Sequence, residues 1–247
     1  MRALRALATA ISFLTRVPVR VREVTPEDLG RSLVWFPVVG GALGLGVMGC
    51  AALARHSLSY MLGGVSLVAL SALITGGLHL DGVADLFDGL GGARGDRQRA
   101  LEIMRDSRIG AHGATALTLT LLGKTFAAAE LLQQGKLWAF FAAPTIARLA
   151  AVLLIVVFPY ARAEGLGRAM HDHARVWQLG LAALLTLATL SPLGVHVAPP
   201  LLVALVLSWL LGGAVSRKLG GLTGDVYGAT IELCELFVLV GATLSAA

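Results

Sequence analysis

Three aspartates follow one another at helical spacing in an otherwise apolar and glycine-rich stretch, residues 79–89. Asp81, Asp85 and Asp88 are separated by four and three positions, so on an α-helix their carboxylates would share one face. Such carboxylates repel one another unless a cation neutralises them, and hard oxygen ligands favour Mg²⁺ or Mn²⁺, which in turn bind diphosphates. A solvated acidic helix face is the alternative, but such faces usually contain Lys or Glu, and this stretch has neither. The pattern favours a metal and diphosphate site.

A second polar stretch, residues 103–113, places two arginines around an acid and a hydroxyl group. Arg105 and Arg108 flank Asp106 and Ser107, and nearby glycines would let a ligand approach the backbone. The fork of an arginine side chain binds phosphate through two hydrogen bonds. A positive anchor at the membrane surface would explain the arginines, but it would not explain Asp106 or the glycines. We therefore predict that this segment binds phosphate.

A third stretch, residues 220–228, combines a glycine-rich turn with one carboxylate at the predicted start of a helix. Asp225 could simply cap that helix, or it could take part in a reaction. Glu232 follows it by seven positions on the same side, and acids inside a membrane are candidates for function by default. Asp88, Asp106 and Asp225 compete for the role of general base, and the sequence does not rank them.

Two cations, Lys124 and Arg148, lie near the middle of apolar runs, where each is costly unless it is paired or hydrated. Glu130, Glu232 or a bound phosphate could pair with them. The sequence leaves open whether they form an interhelical salt bridge or contact a substrate.

The elements that must position these residues are membrane helices. The chain has 247 residues, of which 56% are hydrophobic and only 14% charged, whereas a soluble domain has about 25% charged residues. A bilayer core about 30 Å thick requires about 20 apolar residues per helix. Runs of that length lie at residues 33–54, 57–79, 113–132, 137–159, 176–197, 198–216 and 227–246. We predict a single all-α domain, residues 1–247, built as a polytopic membrane helical bundle with about seven transmembrane helices.

Four glycines occur close together in the first apolar run, at Gly40, Gly41, Gly44 and Gly46. Small residues in a membrane helix let a neighbouring helix approach closely. The cluster therefore predicts tight helix packing and is not evidence of nucleotide binding.

The distribution of charge predicts the orientation. Sixteen of the 20 Lys and Arg residues fall on one side if the N-terminus is cytoplasmic, and only Arg55 and Lys136 fall in loops on the other side. The segment 81–112 would then face the cytoplasm at a bacterial cytoplasmic (inner) membrane. The formal charge of +5 does not indicate nucleic-acid binding, because the basic residues lie in short loops between apolar runs.

The N-terminal stretch, residues 1–17, carries two arginines and an apolar segment and could be a signal peptide. Arg16 follows the apolar segment at once, and no small-x-small cleavage site is clear. We predict instead a retained helix that lies in the membrane interface.

Six motifs, in order along nearly the whole chain, resemble those of the cobalamin synthase family. They are FLTRVP at 13–18, FPVVG at 36–40, LHLDGVADLFDGLGG at 78–92, RALEIMRDSRIG at 99–110, FPYAR at 158–162 and LGGLTGDVYG at 219–228. Each motif alone is modest, but six in this order are specific.

The resemblance implies a transfer reaction late in cobalamin (vitamin B12) biosynthesis. The adenosylcobinamide-phosphate moiety of adenosylcobinamide-GDP would pass to α-ribazole, or to α-ribazole 5′-phosphate, with release of GMP. The product would be adenosylcobalamin or its 5′-phosphate, and the reaction would need Mg²⁺.

This reaction gives the three stretches their predicted roles. The predicted metal ligands are Asp81, Asp85 and Asp88. The predicted catalytic carboxylates are Asp88, Asp106 and Asp225. The predicted substrate-binding residues are His79, Arg105, Ser107, Arg108, Thr223, Tyr227 and Glu232.

Two other classes of protein compete with this interpretation. Another Mg²⁺-dependent membrane transferase, resembling a CDP-alcohol phosphotransferase or a prenyltransferase, would also place aspartates near the cytoplasmic face, but the second aspartate motif of the former is not found after Asp88. A transporter would carry inverted repeats and charges along a path, whereas these acids cluster at one face.

The expected partners are the two substrates and membrane lipid, without nucleic acid. The chain could also self-associate or bind other corrinoid-pathway enzymes.

Overall fold

The structure is a computed structural model that describes residues 2–245, and within this range the chain forms twelve α-helices. In chain order they are α1 (Arg2–Leu14), α2 (Pro26–Ser32), α3 (Phe36–Ser57), α4 (Tyr60–Thr75), α5 (Leu78–Gly92), α6 (Arg97–Ile103), α7 (Ala111–Gln134), α8 (Trp138–Val157), α9 (Leu166–Asp172), α10 (Val176–Leu190), α11 (Ala198–Leu219) and α12 (Gly224–Leu244). In the described range, six helices are long and apolar enough to cross a membrane, or seven if α4 and α5 form one broken span. The prediction of an all-α polytopic bundle is confirmed.

The predicted apolar run 57–79 does not form one straight helix. The chain bends by 93° between α4 and α5. Gly76 and Gly77 cause the break, because both adopt left-handed backbone conformations, with φ of 67° and 71°, that end α4 and begin α5. The bend lays α5, which carries the three aspartates, against α7 and α12. The last predicted run, 227–246, corresponds to α12, and residue 246 lies outside the described residues.

Helix α8 forms the centre of the bundle and packs against α3, α10, α11 and α12. Glycines of α3 allow its close approach to α8. A Cβ atom at Gly44 would lie 2.6 Å from the Phe141 carbonyl oxygen of α8. At Gly41, which faces α10 instead, it would lie 2.9 Å from the Thr189 side chain. The prediction that the glycine cluster serves helix packing is confirmed for these positions.

The N-terminal helix α1 is too short to cross a membrane and packs against α2 and α3. One face, which includes Ala10 and Leu14, is buried, while Leu4 is exposed. Arg5 ties α1 to α2 because its Nε donates to the Asp28 carboxylate at 2.8 Å. The predicted N-terminal helix is therefore present, and its position in a lipid interface stays a prediction.

A buried ionic cluster connects α7, α8 and α12. The Lys124 ammonium donates to Glu232 at 2.7 Å and to Glu235 at 2.6 Å, and Arg148 pairs with the other oxygen of Glu235. Two positive and two negative charges balance each other in the core of the bundle. Of the two interpretations that the sequence left open for Lys124 and Arg148, the structure has the interhelical salt bridge.

Candidate functional site

A cavity of about 400 Å³ opens at the end of the bundle where α8 ends and α12 begins. Its walls come from α1, α3, α5, α8, α9 and α12, and from the loop that follows α8. Four of the residues predicted from the sequence line it, namely His79, Asp81, Asp225 and Tyr227. Two of the three polar stretches of the sequence therefore meet at one cavity.

The loop after α8 is clamped to the turn before α12 by a pair of backbone hydrogen bonds. The Leu222 amide donates to the Pro159 carbonyl at 2.7 Å, and the Ala161 amide donates to the Leu222 carbonyl at 2.8 Å. Gly221 makes this approach possible, because a Cβ atom there would lie 2.8 Å from the Pro159 carbonyl oxygen, and its φ is 149°. The clamp carries Arg162 to the start of α12.

Arg162 forms an ion pair with Asp225 in the first turn of α12. Its Nη2 atom donates to the Asp225 carboxylate at 2.7 Å. The cap of α12 is supplied by Thr223, whose hydroxyl accepts from the Val226 amide at 3.4 Å and donates to Asp225 at 3.2 Å. Asp225 is thus free of the plain capping role that the sequence allowed, and Thr223 positions it.

The carboxylates of α5 lie at different depths. Asp81 is exposed at the mouth of the cavity, and Asp85 is half-buried one turn further along the helix. The negative charges of Asp81 and Asp225 both act on Asp85, and Arg162 is the neighbouring positive charge. Three carboxylates with one arginine leave a local excess of negative charge around Asp85.

Asp88 is buried between α5 and the start of α7. Its two oxygens accept hydrogen bonds from the backbone amides of Gly110, at 2.7 Å, and Gly113, at 2.8 Å. These amides belong to the first turn of α7, whose N-cap residue, Gly110, has no side chain that could satisfy them. Asp88 therefore caps α7 across the interface and fixes α7 to α5.

The donor chemistry of this end of the protein suits Mg²⁺. Within residues 2–245, no three His, Cys, Asp or Glu side chains converge as a ready-made metal cluster. The carboxylates of Asp81, Asp85 and Asp225 nevertheless repel one another, and hard oxygen atoms with unbalanced negative charge are the ligands that Mg²⁺ prefers. The ligand role of Asp88 stays a prediction, although both of its oxygens already accept hydrogen bonds.

The arginine-rich stretch between α6 and α7 lies beside the cavity. Arg108 holds Asp106 through three side-chain hydrogen bonds from Nε and Nη2, lowering the pKa of that carboxyl to about 2, and the Arg108 side chain is 86% exposed. Arg105 follows Met104, whose carbonyl accepts a hydrogen bond from Arg162 Nη2 at 3.4 Å, so this residue lies near the cavity. Ser107 is exposed on the connecting turn.

Tyr160 and Arg162 are site residues that no prediction named. Burial raises the pKa of the Tyr160 phenol, against the opposing charges of Arg162 and Arg105, so the phenol keeps its proton at neutral pH. Both residues lie in the FPYAR motif, which contributed to the family resemblance. In the sequence, an arginine just after an apolar run looks like one of the basic residues that orient a membrane protein. Only the contact of the neighbouring backbone with Leu222 shows that Arg162 belongs to the site.

Three buried polar atoms on the cavity wall have no hydrogen-bond partner within the described part of the chain: His79 Nδ1, Arg162 Nε and Tyr227 Oη. His79 is only 3% exposed and Tyr227 only 6% exposed. Buried polar groups are nearly always paired, so three unpaired groups among the residues of one cavity leave hydrogen-bonding capacity that water or a polar ligand would satisfy. Glu232, by contrast, is turned toward Lys124 and lies outside this cavity.

Fold and site together define a multi-pass α-helical membrane protein whose charged residues converge on a cavity at one end. The chain belongs to the cobalamin-5-phosphate synthase family, whose model matches residues 6–243. No solved structure matches the chain.

Curated relatives match over almost their full length, and each is named adenosylcobinamide-GDP ribazoletransferase. One from Pseudomonas aeruginosa is 42% identical, covering 98% of this chain and 99% of the relative. One from Klebsiella pneumoniae is 41% identical, covering 96% of this chain and 98% of the relative. One from Geotalea daltonii is 40% identical, covering 96% of both chains.

Proposed function

We propose that this protein is an enzyme that transfers the adenosylcobinamide-phosphate moiety of adenosylcobinamide-GDP to α-ribazole or its 5′-phosphate. Membership of the cobalamin-5-phosphate synthase family and the shared name of its relatives support this reaction. The cavity is the observation that assigns this reaction to a place in the structure. Three residues that carry unpaired buried polar atoms, His79, Arg162 and Tyr227, line this cavity together with the carboxylates of Asp81 and Asp225.

In the proposed reaction, a hydroxyl oxygen of the ribazole attacks the phosphorus that bears the cobinamide. A new P–O bond forms, the bond to the bridging oxygen of the diphosphate breaks, and GMP leaves with that oxygen. The hydroxyl proton passes to a carboxylate. Arginines near the diphosphate would balance the charge that gathers on the leaving oxygen.

Asp225 is the best placed of the three candidate bases. It lines the cavity and is held by Thr223 and Arg162. Asp106 does not line the cavity, and its pairing with Arg108 lowers its pKa. Asp88 already accepts two backbone hydrogen bonds, which favours a structural role.

We further propose that the enzyme depends on Mg²⁺ and that Asp81 and Asp85 hold it, which leaves Asp225 free to act as the base. Bound there, Mg²⁺ would neutralise diphosphate oxygens of the donor. The excess of carboxylates over arginines supports this assignment. Asp85→Ala should abolish turnover without unfolding the protein, whereas Glu130→Ala, which changes an exposed carboxylate on α7, should not.

The proposed location is the bacterial cytoplasmic membrane, with the cavity facing the cytoplasm. Sixteen of the 20 basic residues belong to segments assigned to that side, which supports this orientation. A cysteine placed at Arg55 or Lys136 should be labelled by a membrane-impermeant reagent from outside, and one placed at Arg94 should not be. The reverse pattern would overturn the orientation.

The experiment that tests the function is GMP release by the purified, detergent-solubilised protein. Release should require the corrinoid donor, α-ribazole and Mg²⁺ together, and EDTA should stop it. Release without α-ribazole would indicate a hydrolase, and no release with all three present would remove the proposed function.

A further inference from the structure

We infer that the cavity holds the acceptor nucleoside with its base innermost, and that the corrinoid donor stays outside and reaches only the mouth. This inference rests on the proposed function and assigns one of its two substrates to a place. Its argument uses the size of the cavity, the chemistry of its inner wall and the charges at its mouth.

The size of the cavity suits one of the two substrates. Its volume of about 400 Å³ falls near the lower end of the range for pockets that enclose a small organic ligand. A base joined to one sugar is of that size. A corrin macrocycle with its amide side chains, its upper adenosyl ligand and a diphosphate is several times larger. The donor therefore cannot enter as a whole.

The inner wall is apolar and aromatic. Phe36, Ile155 and Met170 are all buried there. The rings of Tyr160 and Tyr227 lie 6.2 Å apart at 35°, which gives the wall two further flat surfaces. Aromatic side chains favour stacked or edge-on contact with a flat ring. This part of the cavity fits a planar base.

The chemistry of the inner wall also discriminates between bases. A guanine carries amide and amino groups along its edge, and burying them against Phe36 and Ile155 without partners would be unfavourable. A benzimidazole has an apolar edge and loses no such hydrogen bonds. The base of the acceptor therefore fits the wall better than the guanine of the donor.

Unpaired polar groups mark where the sugar of the acceptor would lie. His79 Nδ1 and Tyr227 Oη are buried in the wall without partners in the described range, and Arg162 Nε is a third such group. Sugar hydroxyls both donate and accept hydrogen bonds, so they could satisfy these atoms. The polar groups belong to α5, α12 and the loop after α8, and they lie beside Asp81 and Asp225.

Charges at the mouth place the reacting groups. Asp81, Glu164 and Asp225 are carboxylates on the cavity lining, and inside it they would repel a diphosphate that carried no cation. Arg105 is exposed next to the cavity, where it could meet the donor. A hydroxyl presented beside Asp225 would thus meet the diphosphate at the entrance.

The test fills the cavity from α8. Ala151 of α8 is buried on the lining, so Ala151→Leu should reduce the space for the base. Ala42→Leu makes the same change on the exposed face of α3 and is the matched control. Kinetics with each substrate varied in turn separate the two binding sites.

For Ala151→Leu we expect the KM for α-ribazole to rise at least about tenfold, with the KM for the corrinoid donor within about twofold of wild type. Tyr227→Phe keeps the shape of the wall and removes one unpaired hydroxyl, so it should raise the KM for α-ribazole about 3- to 10-fold. Equilibrium dialysis of α-ribazole without donor should show weaker binding to both variants than to wild type, in the same order as the KM values.

The outcomes separate the inference from the proposed function. If wild type turns over and these variants change the KM of the donor while leaving that of α-ribazole unaltered, the assignment of the cavity is overturned and the function stands. If Ala151→Leu does not fold, Tyr227→Phe and the dialysis decide whether α-ribazole binds in the cavity. If wild type releases no GMP, the proposed function itself fails.

Discussion

Arg162 and Asp225 lie 63 positions apart in the sequence and are joined by a hydrogen bond of 2.7 Å at the mouth of the cavity. The pair links the loop after α8 to the first turn of α12. It uses only one end of the guanidinium, because Arg162 Nε lacks a partner within the described residues. Arg162 therefore holds Asp225 while one of its donors, Nε, stays unused.

The first prediction concerns this arginine. Arg162→Ala should reduce kcat by about 100-fold or more, because it releases Asp225 and removes a cation from the mouth. Arg162→Lys should restore part of the loss, since an ammonium can pair with Asp225 but cannot present a second donor like Nε. Steady-state GMP release measures both. Arg168→Ala, which removes an exposed pair with Asp172, is the control and should remain near wild type. Equal rates for all three variants would refute the role of Arg162.

A second prediction separates structure from metal binding at Asp88. Asp88→Ala would leave the Gly110 and Gly113 amides without their acceptor, at a cost of about 1–3 kcal/mol. We expect the thermal unfolding midpoint in detergent to fall for Asp88→Ala in the absence of Mg²⁺, and to stay unchanged for Asp81→Ala, which alters an exposed carboxylate. An unchanged midpoint for Asp88→Ala would speak against the capping role and for a ligand role.

The third prediction ranks the arginines of the turn between α6 and α7. Arg105→Ala should lower kcat more than it raises KM, by roughly 30- to 1,000-fold in kcat/KM, if its charge meets the donor diphosphate. Arg108→Ala should have a smaller effect, because that guanidinium already pairs with Asp106 and is largely exposed. Arg99→Ala removes a surface pair with Glu102 and serves as the control. Equal, small losses in all three would show that these arginines only orient the protein in the membrane.

The fourth prediction concerns the buried ionic cluster. Lys124→Met would leave Glu232 and Glu235 buried with only Arg148 to balance them, and breaking a buried pair typically costs about 3–5 kcal/mol. We expect a lower unfolding midpoint and a lower yield of folded protein. Adding Glu232→Gln should recover much of the loss, because it removes the excess negative charge. If the double variant is no more stable than Lys124→Met, charge balance is not what the cluster provides.

The sequence predicted the helical bundle and part of the cavity because those features have local signals. Hydropathy located the spans, and helical spacing placed the three aspartates on one helix, α5. It did not locate the bend at Gly76 and Gly77, because an average over an apolar run takes no account of two glycines that end a helix. The three aspartates consequently occupy distinct surroundings that their spacing alone does not reveal.

The sequence alone could not identify residues whose roles depend on contacts between distant segments. Two backbone hydrogen bonds that join Leu222 to Pro159 and Ala161 position Arg162 at the site, and no local sequence pattern around Arg162 predicts them. The same holds for Glu232, which shares the helical side of Asp225 but meets Lys124 of another helix. Spacing within one helix predicts which side a residue takes, and the neighbouring helix decides what it meets there.

The most direct measurement of the central claim is product formation by an Asp225→Asn variant of the purified protein. Mass spectrometry of the corrinoid product and quantification of GMP should show both falling together by about 100-fold or more relative to wild type, because a positioned general base contributes roughly 10²- to 10⁴-fold. Thermal unfolding should confirm that the variant is folded, and Glu130→Gln, far from the cavity, should match wild type. Wild-type rates of both products from a folded Asp225→Asn variant would contradict the account and remove this cavity as the place of transfer.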